Sequence, residues 1–415
     1  MRALISTRTR LQSAINLATE LAQGDFPNEH ARLALFELRS IFTDGVNALA
    51  AINPESDPAV VKTLCAAESA KLFSLFPYLG FLSRSTEIRN AFEVHGPLLR
   101  LVAKLLDPKM HLVISSEWEY SPFTFVPPRQ AALSGTVMIG APASESWNAL
   151  TLPLAGHELG HNVWARKDLG SKVGPIVLES ILSHVEGPGW SDYQRAFPDF
   201  QDRAAVRTDL ILRNTLAQCY EWAIRQCEEV FCDCLGLLLF REAFLHAFEY
   251  LLAPGLPYPR SFHYPPSKQR ALLLERAAKL SDVSISVDYA AEFEDEPGPS
   301  DERIKALLAI ADVATSGTTE QLLSIAKSLI EQAGIQVGSQ EEHAKIVHCF
   351  SLCVPPQSTT NLASIVRGAW AYYLSGMKEW HDQYPEVFTE NRSLEMLSDL
   401  AFKAIEINEI EEKLR

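Results

Sequence analysis

The 415-residue chain has no apolar run long enough to cross a bilayer. Its richest stretch, Leu235–Phe240, stops at Arg241 and Glu242, far short of the ~20 residues a spanning helix needs. Near the N-terminus, Gln12, Ser13, Asn16, Thr19 and Glu20 interrupt the apolar core that a secretory signal requires. That segment reads as an amphipathic helix. Basic charge is also scarce. The 37 Lys and Arg stand against 52 Asp and Glu, a formal charge of −15, which repels phosphate backbones and anionic membrane surfaces. Neither nucleic acid nor membrane is therefore an expected partner. The seven cysteines are odd in number and lack the spacing of a disulfide framework, so a reducing cytoplasm is the expected location. No Gly-rich phosphate loop and no G-x-S-x-G elbow occur, which removes two common nucleotide-binding and serine-hydrolase readings.

What is present is mostly helical periodicity. Leu11, Ile15, Ala18 and Leu21 recur at helical spacing, as do Leu35, Leu38, Phe42, Val46 and Leu49, and residues 1–106 are expected to form an N-terminal helical region. Three β-rich runs follow, at His111–Ser115, Phe123–Val126 and Thr136–Ile139, punctuated by Pro127 and Gly135. They predict a small sheet, with Thr136–Gly140 as an edge strand able to align an extended peptide. Helical periodicity returns at about Thr151, so 107–282 is expected to be one domain of sheet and helices. Glu292–Glu296 followed by Pro297, Gly298 and Pro299 has the chemistry of an extended linker over 283–302. Residues 303–415 read as a C-terminal helical region. The expected fold class is α+β, predominantly helical.

The chemistry concentrates at His157-Glu158-Leu159-Gly160-His161, an H-E-x-x-H pattern. On a helix, positions i and i+4 share a face, so His157 and His161 can send imidazole nitrogens to one point. Zinc accepts imidazole at about 2.0–2.1 Å, and a catalytic zinc takes three protein ligands and a water. Glu158, one step round the helix, is placed to act as general base on that water. The neighbours Leu154, Ala155, Gly156, Leu159, Gly160, Asn162 and Val163 are uncharged, as a helix buried beside a metal requires. The metzincin continuation is absent, because Trp164 and Lys167 occupy its Gly and His positions. A carboxylate from a later helix is the alternative. Glu229 and Asp233 lie four apart among Val230, Phe231, Leu235 and Leu237, where unpaired charge is costly. Glu229 could bind the metal while Asp233 accepts the other imidazole N–H of a ligating histidine. Glu179 and Glu186 are closer in sequence, but neither has an acid four residues on. Cys232 and Cys234 read as small core cysteines, and His343, His348, Cys349 and Cys353 as part of a packed helix. Trp118, Tyr120, Phe123 and Phe125 read as core or hairpin packing rather than a substrate groove.

The His-Glu-Leu-Gly-His helix, the later Glu229-x-x-x-Asp233 helix, and His263-Tyr264-Pro265-Pro266 with Arg270 resemble the gluzincin branch of zinc metallopeptidases. The order is similar to that in the group of the prenyl-protein proteases and the heat-shock membrane protease. The match covers about residues 111–275; Tyr264 interrupts the His-Pro step, and membrane helices are lacking. The resemblance implies a zincin-like domain with Zn²⁺ on His157, His161 and Glu229. It also implies a His-Pro segment and an Arg near the active site, with His263 or Tyr264 as oxyanion donors. The implied activity is that of a zinc metalloendopeptidase acting on a peptide or protein substrate. Two other readings stand beside it: a zincin-fold scaffold that binds protein partners through its helical flanks, and a zinc hydrolase of a non-peptide amide.

Overall fold

A computed structural model describes residues 2–53, 56–86, 91–118, 120–127, 132–208, 210–255, 259–336, 338–357, 361–387 and 389–414. The chain opens with helices α1 (Arg2–Leu21), α2 (Glu29–Ala50), α3 (Pro58–Arg84) and α4 (Ala91–Leu105). Strands β1 (His111–Glu117), β2 (Phe123–Phe125) and β3 (Thr136–Pro142) follow. Then come α5 (Leu154–Arg166), α6 (Leu169–Glu186), α7 (Trp190–Ala196), α8 (Leu210–Phe240), α9 (Glu242–Leu252) and α10 (Ser267–Lys279). The last helices are α11 (Glu302–Gln332), α12 (Gln340–Ser351), α13 (Leu362–Ser375), α14 (Met377–Gln383) and α15 (Glu390–Leu414). Five of the helices are capped at their start by a side chain. The side chains of Asn28, Asp57, Asp301, Ser339 and Asn361 each accept a hydrogen bond from a first-turn N–H, which satisfies donors that a helix cannot. The chain is predominantly helical with one small sheet, an α+β composition. No described helix is long and apolar enough to cross a membrane.

The chain divides into two compact units, Met1–Ala103 with Asp107–Trp147, and Lys104–Leu106 with Asn148–Arg415. The division departs from the expected boundary at 107. In the first unit the sheet packs on the N-terminal helices, because Val113, Leu133 and Met138 share one buried cluster with Leu11, Leu35, Phe42 and Phe81. Phe123 and Phe125 stack edge-on against Phe81, and Phe125 against Tyr78; they are core, while Trp118 is 90% exposed. The sheet order is β1-β3-β2, with β1 parallel and β2 antiparallel to β3. Thr136–Gly140 is therefore the central strand. Met138–Gly140 is paired on both sides, so among the described residues that stretch is not the free peptide-aligning edge expected there.

In the second unit, the long helix α8 packs against α5, α6, α10 and α11. The C-terminal helices are part of this body rather than a separate region. The Cys219 thiol donates to the Leu307 carbonyl at 3.3 Å, and the Thr315 hydroxyl donates to Gln226 Oε1 at 3.0 Å, tying α8 to α11. The Trp370 indole N–H donates to the Leu150 carbonyl at 2.9 Å, and the Ala149 N–H donates to Ser398 Oγ at 3.3 Å, so α13 and α15 brace the turn just before α5. The acidic segment 283–302 is not a solvated linker either. Tyr289, Ala290 and Phe293 are buried, and the Tyr289 hydroxyl donates to the Leu245 carbonyl at 2.9 Å. The Glu296 carboxylate accepts from the Ser267 N–H at the start of α10, where the helix dipole favours an anion. The charges face outward while the apolar residues among them anchor the segment, a distinction that composition does not register.

Phe293→Ala should lower the unfolding free energy by about 3–5 kcal/mol, as for a buried aromatic. Chemical denaturation measures this; a solvated linker would show a change within about 0.5 kcal/mol.

Candidate metal centre

The centre is built where α5 and α8 approach closely. A methyl group on Gly160 would stand 2.8 Å from the Cα of Cys232, and one on Gly156 would stand 3.1 Å from the Cα of Gly236. Only hydrogen fits at Gly160, and at Gly156 an added carbon would be tighter than ordinary contact. The pairings 156 with 236 and 160 with 232 show that the helices run antiparallel. Each glycine costs a helix about 1 kcal/mol relative to alanine, and the close contact they permit offsets that cost. Turned slightly off this contact, His157 and His161 face the acids of α8.

His157 Nδ1 is 2.8 Å from Asp233 Oδ1, and His161 Nδ1 is 2.9 Å from Glu228 Oε1. With each Nδ1 so occupied, the Nε2 atoms face Glu229: His157 Nε2 is 3.3 Å from Oε2, and His161 Nε2 is 3.7 Å from Oε1. Two ligands about 2.1 Å from one ion at a tetrahedral angle lie roughly 3.4 Å apart, so these separations fit a shared cation. Glu229 is 6% exposed, and its Oε2 has no hydrogen-bond partner. Its charge is met in the ion-free protein by the His157 imidazole and by Arg270, 3.8 Å away.

Asp233 does more than orient His157. It receives both Nε and one terminal nitrogen of Arg270, at 2.9 and 2.7 Å, a bidentate pair buried on both sides. Arg270 is held between aromatic faces, 4.9 Å from the Phe248 ring and 5.6 Å from that of Tyr264. Its terminal nitrogen is also 3.8 Å from Glu229 Oε2. The opposite end is set by Arg225, whose guanidinium donates to Glu228 at 3.1 Å.

The electrostatics follow from this crowding. Burial alone would lower the His157 pKa, but the hydrogen bond to Asp233 and then Glu229 override it and push it up to about 10. The pocket thus draws positive charge onto its own histidine. Glu158 is 4% exposed, and burial holds its carboxyl above the ordinary range against the lowering effect of the two histidines. The charge of Glu229, then burial, raises the Tyr264 phenol, which keeps it a hydrogen-bond donor.

His157, Glu158, His161, Glu229 and Asp233 thus meet as the spacing predicts, with Tyr264 within the field of Glu229. His263 does not join them. It is exposed, and its described hydrogen bond is from its main-chain N–H to Ser261 Oγ. Glu179 and Glu186 both pair with Arg207 instead. Cys234 is simply core. Cys232 is different: its Sγ and one nitrogen of each of His157 and His161 all lie within 4.8 Å of one another. Burial and the nearby carboxylates raise its thiol well above the ordinary value, so without a cation it is protonated. Sequence reading missed Glu228, which looks like a solvated neighbour of Glu229. The available signal was Arg225 three residues earlier, a helical-spacing partner for it.

Gly160→Ala should destabilise the protein in chemical denaturation despite alanine's better helix propensity, because the methyl meets backbone rather than a movable side chain. A gain approaching the ~1 kcal/mol of propensity would show that the contact is slack. Comparison of the chain with family models, with curated proteins and with solved structures gave no match.

Proposed function

We propose that the second unit is a zinc-dependent peptidase of gluzincin type, with a zincin-like arrangement of ligand helices. The observation that carries the reading is the pairing of the two histidines: each Nδ1 is taken by a carboxylate, and both Nε2 atoms face a third, buried carboxylate, Glu229. His157, His161 and Glu229 would hold the metal. Bound there, zinc supplies a Lewis acid and a water that ionises near neutral pH.

The chain's own groups do the rest. Glu158 accepts the proton of the attacking water and returns it to the leaving amine, a role for which its burial-raised pKa is suited. Asp233 and Glu228 fix both imidazoles with Nε2 inward. Arg270 neutralises Asp233 and holds it on His157. The Tyr264 hydroxyl donates to the oxyanion as it develops on the scissile carbonyl. The substrate is a peptide or protein. A reducing compartment suits the seven cysteines, none of which pairs with another.

Glu158→Gln should retain about one zinc per chain by elemental analysis and lose hydrolysis of a fluorogenic peptide mixture by about 10²-fold or more. His161→Ala should lose the zinc. Unchanged cleavage by Glu158→Gln rejects the mechanism, and a zinc-free wild type rejects the reading entirely.

Metal affinity should depend on pH with a definite sign. His157 must shed its proton before Nε2 can ligate, so affinity rises with pH by about tenfold per unit for each proton displaced. Competition with a chromophoric chelator at about pH 6 and about pH 8 measures the slope. The ion-free protein shows the opposite trend. A histidine pKa raised from an unfolded ~6.5 to about 10 stabilises the fold fully below the lower value and loses that contribution as pH climbs through the upper one.

A further inference from the structure

We infer that Cys232 is a fourth protein ligand of the proposed metal, competing with water for the coordination position that hydrolysis needs. This rests on the metal reading above and adds its regulation.

Glu229, Cys232 and Asp233 occupy positions i, i+3 and i+4 of α8 and so share the face turned to α5. Cys232 is fully buried there, directly against Gly160, whose missing side chain leaves room for its sulfur. Its Sγ and one nitrogen of each of the two histidines lie within 4.8 Å of one another. A thiolate at about 2.3 Å and an imidazole at about 2.0–2.1 Å from one zinc are roughly 3.6 Å apart, so the separations close by up to about 1.2 Å to complete the contact. The buried Glu229 carboxylate faces the same two histidines, 3.3 Å from His157 Nε2 and 3.7 Å from His161 Nε2. The two histidines and the thiol thus form one cluster beside that carboxylate; four protein donors at tetrahedral zinc make a closed site, whereas three and a water make a catalytic one.

Ligation breaks the S–H bond of Cys232, forms one sulfur–metal bond and releases one proton to solvent, with no change in oxidation state. Reversal returns the proton to sulfur and vacates one coordination position. Access to that position is then controlled at Cys232 itself, which belongs to the same rigid helix as Glu229 and Asp233.

The test uses the full chain loaded with Co²⁺, whose thiolate complexes show an intense near-ultraviolet charge-transfer band that imidazole and carboxylate complexes lack. Wild type should show the band together with tetrahedral visible transitions. Cys232→Ser should bind Co²⁺ but lose the band and bind zinc about tenfold more weakly or worse. Cys232→Ala, with circular dichroism to confirm folding, guards against a serine oxygen taking over. Wild-type protein that binds one Co²⁺ with no thiolate band overturns the inference while leaving the peptidase reading intact. Wild type that binds no Co²⁺ or Zn²⁺ overturns both. The wild-type spectrum decides the matter even if neither variant folds.

Discussion

The close approach of α5 and α8 governs the second unit's chemistry. Gly156 and Gly160 let one helix backbone lie against Gly236 and Cys232 of the other, and that separation puts imidazole nitrogens within 2.8–2.9 Å of Asp233 and Glu228. A methyl group at Gly160 would force the helices apart, and a metal tolerates ligand distances within only about 0.2 Å of their ideal values. The same contact explains why a helix carrying functional histidines tolerates two poor helix formers. Their backbone entropy is a local cost, and the packing they permit is the return.

Charge gives the contact its meaning. Glu228, Glu229 and Asp233 face Arg225 and Arg270, which leaves one negative charge in excess, and Glu158 adds a second whenever it ionises. Buried excess charge of one sign is costly unless something balances it. Without a metal, His157 supplies the balance by holding a proton to about 10. A divalent cation balances it better, because it satisfies Glu229 Oε2 at the same time. Arg270 keeps the arrangement from collapsing onto itself: it binds Asp233 through two hydrogen bonds but stops 3.8 Å short of Glu229, so Glu229 stays free to face the histidines.

Much of this was legible in the sequence, and the remainder has identifiable causes. His157, Glu158 and His161 announce themselves because the i, i+4 spacing states a helix face directly. Glu229 and Asp233 follow by the same rule once their apolar neighbours imply burial. Glu228 does not, because it is adjacent to Glu229 and so about 100° round the helix; it becomes a partner only because α8 runs antiparallel to α5, which no local pattern encodes. The parallel pairing of β1 with β3 was hidden for a similar reason. A strand's place in a sheet depends on which neighbour it finds, and β2 joins the far side of β3 although it precedes β3 in the chain. The segment 283–302 misled in the opposite direction. Its acids and prolines are solvated as composition says, but two aromatic residues among them carry the packing.

The C-terminal helices also take on a different meaning. Read from sequence, they are flanks that peptidase chemistry does not need and that the scaffold reading assigns to partner contacts. In the structure α8 presents one side to α5 and another to α11, through Cys219, Cys227 and the Thr315 hydroxyl. Ligand-bearing side chains hold a productive geometry only when the elements beneath them cannot shift by more than about 0.5 Å. The 31-residue helix α8 is packed on both its α5 side and its α11 side, which restrains the curvature that long helices otherwise adopt over a single core face. The bracing of Leu150 and Ala149 by α13 and α15 applies the same restraint at the start of α5. Both helices of the centre are thus fixed from behind by residues beyond 300, and the flank holds in place the elements that carry His157, His161, Glu229 and Asp233.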